Sequence, residues 1–174
     1  VNENVSSFAS LAAVQMLSPD KDISYFIKVS DALSTKYPNV ENLKGFKKYV
    51  DSKKNLAIGS PAPEITLNNR DGIPLSLSSL KGKIVIVDFW ASWCKSCRAE
   101  NPFMVSLYNK YKDKGLDIFS VSLDFKKEAW IEAIAKDKLY WKNHVSDLKQ
   151  WQSPVVLLYG FEGIPFTCVL DKEG

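Results

Sequence analysis

Residues 84–100, IVIVDFWASWCKSCRAE, are the most informative stretch for predicting the fold of this chain. They begin with an apolar segment, entered through Gly82 and rich in β-branched residues, which is typical of a buried parallel strand. After Cys94 the residues favour a helix, and Pro102 is the only helix breaker before Lys112. We therefore predict that Cys94 lies where a central strand ends and a helix begins.

Cys94 and Cys97 are separated by two residues, and this spacing at a helix start favours thiol–disulfide chemistry. Free N–H groups and the helix dipole stabilise an anion, and they lower a thiol pKa from about 8.5 to roughly 3.5–7.5. The Cys94 thiolate would attack a substrate disulfide, and the shielded Cys97 would then attack Cys94 and release the reduced substrate. The alternatives are unremarkable core thiols or one half of a zinc site. A zinc site needs four ligands, and the other candidates are His144 and Cys168.

Two acidic residues flank the cysteine pair along the chain. Asp88 interrupts the apolar strand, where desolvation should raise its pKa and let it exchange a proton with the Cys97 thiol near neutral pH. The alternative is an outward-facing strand residue. Glu100 shares a helix face with Cys97, and the alternative for it is a solvated glutamate that interacts with the helix dipole.

Composition excludes several classes of protein. The chain has 174 residues, of which 45% are hydrophobic and 25% charged, as in an ordinary globular protein with one core. The net charge of +3 comes from 23 basic and 20 acidic residues without a charged block, a balance that gives no support for nucleic-acid or membrane binding. No segment approaches the ~18 apolar residues of a transmembrane helix.

The remaining sequence predicts an α/β fold behind a helical segment. Residues 1–56 carry apolar stripes at helical spacing but no chemical motif, so we interpret them as a helical lead-in. Gly59, Pro61 and Pro63 mark the boundary to residues 57–174, where strands alternate with helices. The predicted elements are a hairpin at 65–67 and 73–77, strands at 116–123 and 166–170, helices at 126–138 and 153–159, and a less regular segment at 141–151.

Residues 87–97, VDFWASWCKSC, resemble the active site of the thioredoxin superfamily. The wider pattern over residues 57–174 is similar to the TlpA/ResA-type thiol–disulfide oxidoreductases, with GSPAP at 59–63, LKGK at 80–83 and GIP at 163–165. This resemblance implies a thioredoxin-like fold, a central mixed sheet flanked by helices. Its last strand and C-terminal helix are missing, so we expect a truncated domain. The lead-in resembles the segment that follows an N-terminal domain in longer proteins, many from Bacteroidetes.

The resemblance also implies roles for residues around the cysteine pair. It places Asp88 under the second cysteine, Glu100 near the active site as a modulator of thiol ionisation, and a cis peptide bond before Pro165 against the pair. The backbone at Ile164 would pair with an extended substrate segment, and Trp93 would provide an apolar platform for it.

The two residues between the cysteines tune the redox potential, and here they depart from the family. Ser96 stands where the family often has proline, and Lys95 adds positive charge beside the thiolate unless it is simply exposed. The expected catalytic residues are Cys94, Cys97, Asp88 and Glu100, and the expected substrate-binding residues are Trp93, Lys95, Ser96, Ile164 and Pro165.

These features predict a protein-disulfide reductase outside the cytoplasm, in the periplasm, with protein thiol or disulfide substrates and an upstream electron donor. A membrane tether in the full-length protein is compatible with this location. No cofactor or metal is expected besides the Cys94–Cys97 disulfide. Two alternatives remain open. A thioredoxin-fold peroxidase would usually carry threonine where Ala91 stands, and a copper carrier using both thiols and His144 would usually space its cysteines by three. We interpret His144 as a surface or packing residue and Cys168 as an inert core thiol.

Overall fold

The computed structural model describes residues 4–54 and 56–174, which divide into two compact units. One unit comprises Val1–Pro63 with Leu158–Gly160, and the other comprises Glu64–Leu157 with Phe161–Gly174. The predicted boundary, between residues 56 and 57, falls a few residues before this division. The assignment of the two parts as separate domains stays a prediction.

The first unit is helical. Its elements are α1 (Phe8–Val14), α2 (Pro19–Lys36) and α3 (Glu41–Lys54). The helices pack through one apolar cluster of buried side chains, namely Val14, Phe26, Val29, Leu33, Leu43 and Val50. The later segment Leu158–Gly160 also belongs to this unit. The Tyr159 hydroxyl in this segment donates to the Pro63 carbonyl oxygen at 2.6 Å.

The second unit contains two sheets and three α-helices among the described residues. A hairpin pairs β1 (Thr66–Asn68) with β2 (Pro74–Ser76), as predicted. Its turn is closed by Asn69, whose side-chain oxygen accepts from the Asp71 and Ile73 N–H groups at 2.9 Å each. The elements that follow are β3 (Ile84–Trp90), α4 (Lys95–Tyr111), β4 (Leu116–Ser122), α5 (Lys127–Lys136), β5 (Asn143–Val145), α6 (Pro154–Leu158) and β6 (Phe166–Leu170).

The larger sheet has the strand order β5–β4–β3–β6. Strands β3, β4 and β5 are parallel, and β6 runs antiparallel to β3, so the predicted mixed sheet is confirmed. The register aligns one transverse row of four residues across the strands: Thr167, Asp88, Ser120 and His144. The carboxyl ends of the parallel strands meet at one edge, where ligands and catalytic groups gather in α/β sheets. Helix α4 begins at this edge.

Residues 141–151 are less regular, as predicted, apart from one short strand that the sequence did not predict. Asn143–Val145 form β5 and pair with β4. A three-residue strand containing Asn and His has no hydrophobic periodicity, so its pairing with β4 decides its conformation.

The buried core of β4 generates a stability prediction. Phe119 lies in β4 and is fully buried, whereas Phe125, shortly after that strand, is 55% exposed. We expect Phe119→Ala to lower the free energy of unfolding by about 3–5 kcal/mol, because it removes a large apolar side chain and leaves a cavity.

The matched control is Phe125→Ala, which removes only an exposed contact with Lys126 and should cost less than about 1 kcal/mol. Urea denaturation followed by circular dichroism measures both variants. Equal losses would contradict the packing described for β4.

Candidate active site

The junction between β3 and α4 holds a disulfide between Cys94 and Cys97. Cys94 is the N-cap residue of α4, and its Sγ accepts the Cys97 N–H at 3.1 Å. In this oxidised state both cysteines are buried, with exposed fractions of 6% for Cys94 and 2% for Cys97. The attacking Cys94 was expected to be exposed and Cys97 to be shielded, but in the oxidised pair the two cysteines differ little in exposure.

A segment from much later in the chain reaches the same disulfide. The Ile164 carbonyl oxygen lies 3.8 Å from Cys94 Sγ, and the Ile164–Pro165 peptide bond is cis. Ser96 Oγ lies 3.5 Å from the same sulfur. The structure thus brings Ile164 and Ser96 to the disulfide, as the family resemblance implied for Ile164.

Asp88 is a buried carboxyl group in the middle of β3, with 5% of its surface exposed. Burial raises the pKa of Asp88 to about 7. A hydrogen bond from Ser120 Oγ to Asp88 Oδ2, 3.2 Å long, opposes this shift, and the negative charge of Glu100 adds to it. Asp88 is therefore poised to gain or lose a proton near neutral pH.

Ser120 connects Asp88 to an aromatic pair. Trp141 Nε1 donates to Ser120 Oγ at 2.9 Å, and the Trp141 ring stacks on His144 with 5.2 Å between centroids. Burial lowers the pKa of His144 to about 4, and its Nε2 lies 3.1 Å from the Leu139 carbonyl oxygen. His144 is thus neutral at pH 7 and packs inside the sheet layer rather than at the surface.

The turn before Cys94 is held by a second buried acid, Asp124. The Ser92 N–H and hydroxyl donate to the two oxygens of Asp124, at 2.9 and 2.5 Å, and Ser122 Oγ donates to it at 2.8 Å. These hydrogen bonds join the loop after β3 to the end of β4, and so restrict the position of Cys94.

An ion pair reaches Ser92 from the other side. Arg98 forms a bidentate pair with Asp137, at 2.8 and 2.6 Å, and its Nη1 lies 3.5 Å from the Ser92 carbonyl oxygen. Asn101 also donates to Asp137, at 2.7 Å. The pairing with Asp137 raises the pKa of Arg98, and the Arg98 hydrogen bonds lower the pKa of Asp137.

Other predicted site residues lie at the surface. Lys95, Ser96 and Glu100 are exposed on the first turns of α4. Trp93 is 45% exposed, and its ring contacts Trp151, with 6.4 Å between centroids. Glu100 acts on Asp88 through its charge.

Sequence reasoning missed Ser120, Trp141, Asp124 and Trp151. Ser120 and Asp124 belong to a segment that the sequence marks only as a strand and its end. Trp141 and Trp151 lie in the segment interpreted as irregular. Their relation to the cysteine pair depends on strand register and loop packing, and neither leaves a local pattern in the sequence.

Three further observations concern metals, the third cysteine and membranes. Within residues 4–54 and 56–174, no three His, Cys, Asp or Glu side chains are grouped as a metal site. Cys168, in β6, is half-buried, and burial raises the pKa of its thiol. In the same described part of the chain, no helix combines the length and the apolar character needed to cross a membrane.

Comparison with curated proteins and solved structures places these features in a family. Residues 58–174 match the AhpC/TSA family. The thiol-disulfide oxidoreductase ResA of Bacillus cereus is 31% identical over 131 residues, which cover 72% of this chain and 70% of that protein. ResA of Oceanobacillus iheyensis is 44% identical over a shorter stretch of 78 residues, 42% of this chain and 41% of that protein.

Two solved structures with similar folds come from Bacteroides. The crystal structure of the thioredoxin domain of a thiol-disulfide oxidoreductase from Bacteroides vulgatus aligns with a TM-score of 0.62 at 43% identity, covering 67% of this chain and 82% of that one. The solution structure of a thiol:disulfide interchange protein from Bacteroides sp. aligns with a TM-score of 0.63 at 43% identity, covering 69% and 78%. The chain therefore belongs to the AhpC/TSA family, and within it to the thioredoxin-like thiol–disulfide oxidoreductases that include ResA.

Proposed function

We propose that this protein reduces disulfides in other proteins, and that Cys94 is the attacking residue. The observation that supports this most directly is the position of Cys94 at the N-cap of α4, where its sulfur accepts the Cys97 N–H. In the reduced protein the same N–H and the helix dipole would stabilise a thiolate on Cys94, and so lower its pKa.

The reaction transfers two electrons from the two thiols to the substrate disulfide. The Cys94 thiolate attacks one substrate sulfur, the substrate S–S bond breaks, and one substrate thiolate leaves and takes a proton from water. The Asp88 carboxylate then accepts the proton of the Cys97 thiol. The Cys97 thiolate attacks Cys94 Sγ, the mixed disulfide breaks, and the second substrate thiolate leaves. The Cys94–Cys97 disulfide remains, and a dithiol donor must reduce it.

Asp88 suits this role because it is buried and its pKa lies near neutrality. The charge of Glu100, three residues after Cys97, raises the pKa of Asp88, so the Asp88 carboxyl lies within electrostatic reach of the first turns of α4. Glu100 would thereby modulate thiol ionisation through Asp88.

The residues around Cys94 would receive an extended segment of the substrate. The Ile164 backbone, next to Pro165 and close to Cys94 Sγ, would hydrogen-bond to that segment, and the exposed Trp93 ring would cover its apolar side chains. Lys95 and Ser96 would favour the thiolate through a positive charge and a hydroxyl near the sulfur.

The resemblance to TlpA/ResA-type proteins supports a location outside the cytoplasm, in the periplasm, with electrons supplied by another thiol protein. No group beyond the cysteine pair is needed for this chemistry. The two alternative functions have less support. Ala91 has no hydroxyl for peroxide, and the His144 ring is stacked on Trp141 rather than grouped with the thiols.

The reduction potential tests the direction of electron flow. Equilibration of the Cys94–Cys97 couple with glutathione or dithiothreitol should give a potential near about −270 mV, as for thioredoxin. A potential near about −120 mV, as for DsbA, would contradict a reducing role.

Cysteine variants test the assigned order of attack. Cys94→Ser should lower insulin reduction by more than about 100-fold, because the first mixed disulfide cannot form. Cys97→Ser should trap that mixed disulfide, visible on a non-reducing gel. Cys168→Ser is the matched control and should retain activity, since burial keeps that thiol protonated at neutral pH. Substrate trapping by Cys94→Ser but not by Cys97→Ser would reverse the assignment.

Substitution of Asp88 should change how stability depends on pH. Between about 3.8, the ordinary pKa of aspartate, and about 7, its pKa here, the folded protein binds more protons at Asp88 than the unfolded chain does. Wild-type stability should therefore fall as the pH rises through this window. The oxidised Asp88→Asn variant has no titrating group at this position and avoids this loss. At pH 8 its free energy of unfolding should exceed that of the wild type by on the order of 1–3 kcal/mol.

Urea unfolding of the oxidised proteins at pH 5 and pH 8 measures this difference. The contribution of His144 cancels because both proteins contain it. Asp113→Asn, at an exposed aspartate, is the matched control; it retains Asp88 and should therefore lose stability between pH 5 and pH 8 as the wild type does. A gain for Asp88→Asn that is equal at both pH values would show that Asp88 does not titrate in this range.

A further inference from the structure

Three side chains form a continuous hydrogen-bonded chain that ends on the proposed proton acceptor. Trp141 Nε1 donates to Ser120 Oγ at 2.9 Å, and Ser120 Oγ donates to Asp88 Oδ2 at 3.2 Å. All three side chains are buried, and Ser120 is completely inaccessible to solvent. Bulk solvent therefore does not reach the Ser120 hydroxyl at the centre of the chain.

The chemistry of the first donor determines the direction of the whole chain. An indole N–H can only donate, so Ser120 must accept from Trp141. The hydroxyl has a single proton, and within the described residues the acceptor that its oxygen reaches is Asp88 Oδ2. Ser120 is thereby held as a donor to one particular oxygen of Asp88.

We propose that Trp141 and Ser120 are positioning residues that orient the Asp88 carboxyl for proton exchange with the Cys97 thiol. They occupy Oδ2 with a donated hydrogen bond and leave Oδ1 as the oxygen that gains and releases the proton. This inference deepens the proposed function and rests on it.

In this step a single proton moves from the Cys97 thiol to Asp88 and then to solvent. When the Cys97 thiol ionises, its proton is transferred to Asp88 Oδ1 and the Ser120 hydroxyl keeps its own proton. The thiolate left behind attacks Cys94 Sγ, and Asp88 later releases the proton to solvent. The donated hydrogen bond stabilises the ionised carboxylate, and so keeps part of the Asp88 population able to accept a proton at neutral pH.

Few other titratable groups face Asp88 from the elements around it. Helix α4 contributes the charge of Glu100, and its Cys97 does not titrate while it is disulfide-bonded. From β5, His144 lies in register with Ser120 and is neutral at pH 7. From β6, Asp88 pairs with Thr167, which does not titrate, and the neighbouring Cys168 keeps its proton. A shift in the Asp88 titration after substitution of Ser120 can therefore be attributed to the lost Ser120 hydrogen bond.

The test is a titration of the whole chain in its oxidised form, labelled with ¹³C at the aspartate carboxyl carbons and followed by NMR. No active-site thiol titrates in this state, and the Asp88→Asn variant identifies the resonance of Asp88. We expect a midpoint near pH 7 for the wild type. Because the measurement needs no turnover, its result is independent of the reductase assay and of the reduction potential.

Ser120→Ala should raise that midpoint by about one pH unit, because the donor to Oδ2 is gone; this is about a tenfold fall in the ratio of carboxylate to protonated acid at a fixed pH. Ser120→Thr, which retains a hydroxyl, should restore the midpoint. Trp141→Phe should raise it by a smaller amount, because Ser120 is then free to rotate. Trp130→Phe is the matched control: Trp130 is also buried, its Nε1 has no partner within the described residues, and the midpoint should not move.

In single-turnover reduction of a disulfide substrate, the pH dependence of product release should shift with Ser120→Ala in the same direction. It should not shift in a protein that already carries Asp88→Asn. An unchanged or lowered Asp88 midpoint in Ser120→Ala would overturn the proposal. A wild-type midpoint in Trp141→Phe would remove Trp141 from it. If Ser120→Ala shifts the pH dependence of product release equally in the wild-type and Asp88→Asn backgrounds, Ser120 acts only through the stability of the fold.

Discussion

The hydrogen bond from the Cys97 N–H to Cys94 Sγ is the interaction on which the site depends. Four residues, 91–94, separate the end of β3 from the start of α4, and the last of them, Cys94, is the N-cap. An N-cap position normally carries an oxygen that satisfies a free helix N–H, and here a sulfur serves that purpose. Helix start and redox centre are thus one structural feature.

The turn that presents Cys94 is held by polar contacts from two sides. Asp124, at the end of β4, takes the Ser92 N–H and hydroxyl, and Arg98, on α4, approaches the Ser92 carbonyl oxygen while paired with Asp137. Reactive cysteines need this kind of support, since small displacements of reacting atoms reduce rates strongly. The sheet and helix therefore position the loop, and the loop positions the sulfur.

Two buried carboxyl groups near the site differ in how many donors they have. Asp124 accepts three hydrogen bonds, from the backbone and hydroxyl of Ser92 and from Ser122. Asp88 accepts one described hydrogen bond, from Ser120, and faces the negative charge of Glu100. Desolvation therefore dominates at Asp88 and raises its pKa to about 7, the range in which an acid can take and return a proton at neutral pH.

The sequence by itself determined the local features: the apolar strand, the helix that follows it, the cysteine spacing between them and the acid that interrupts the strand. Each depends on residues close together in the chain, which is why periodicity and spacing predict them. Tertiary structure alone decided the partners. Ser120 meets Asp88 through the parallel register of β3 and β4, Trp141 reaches Ser120 from beyond α5, and Ile164 approaches Cys94 from seventy residues away. Such contacts depend on strand order and packing, which have no signature in the local sequence.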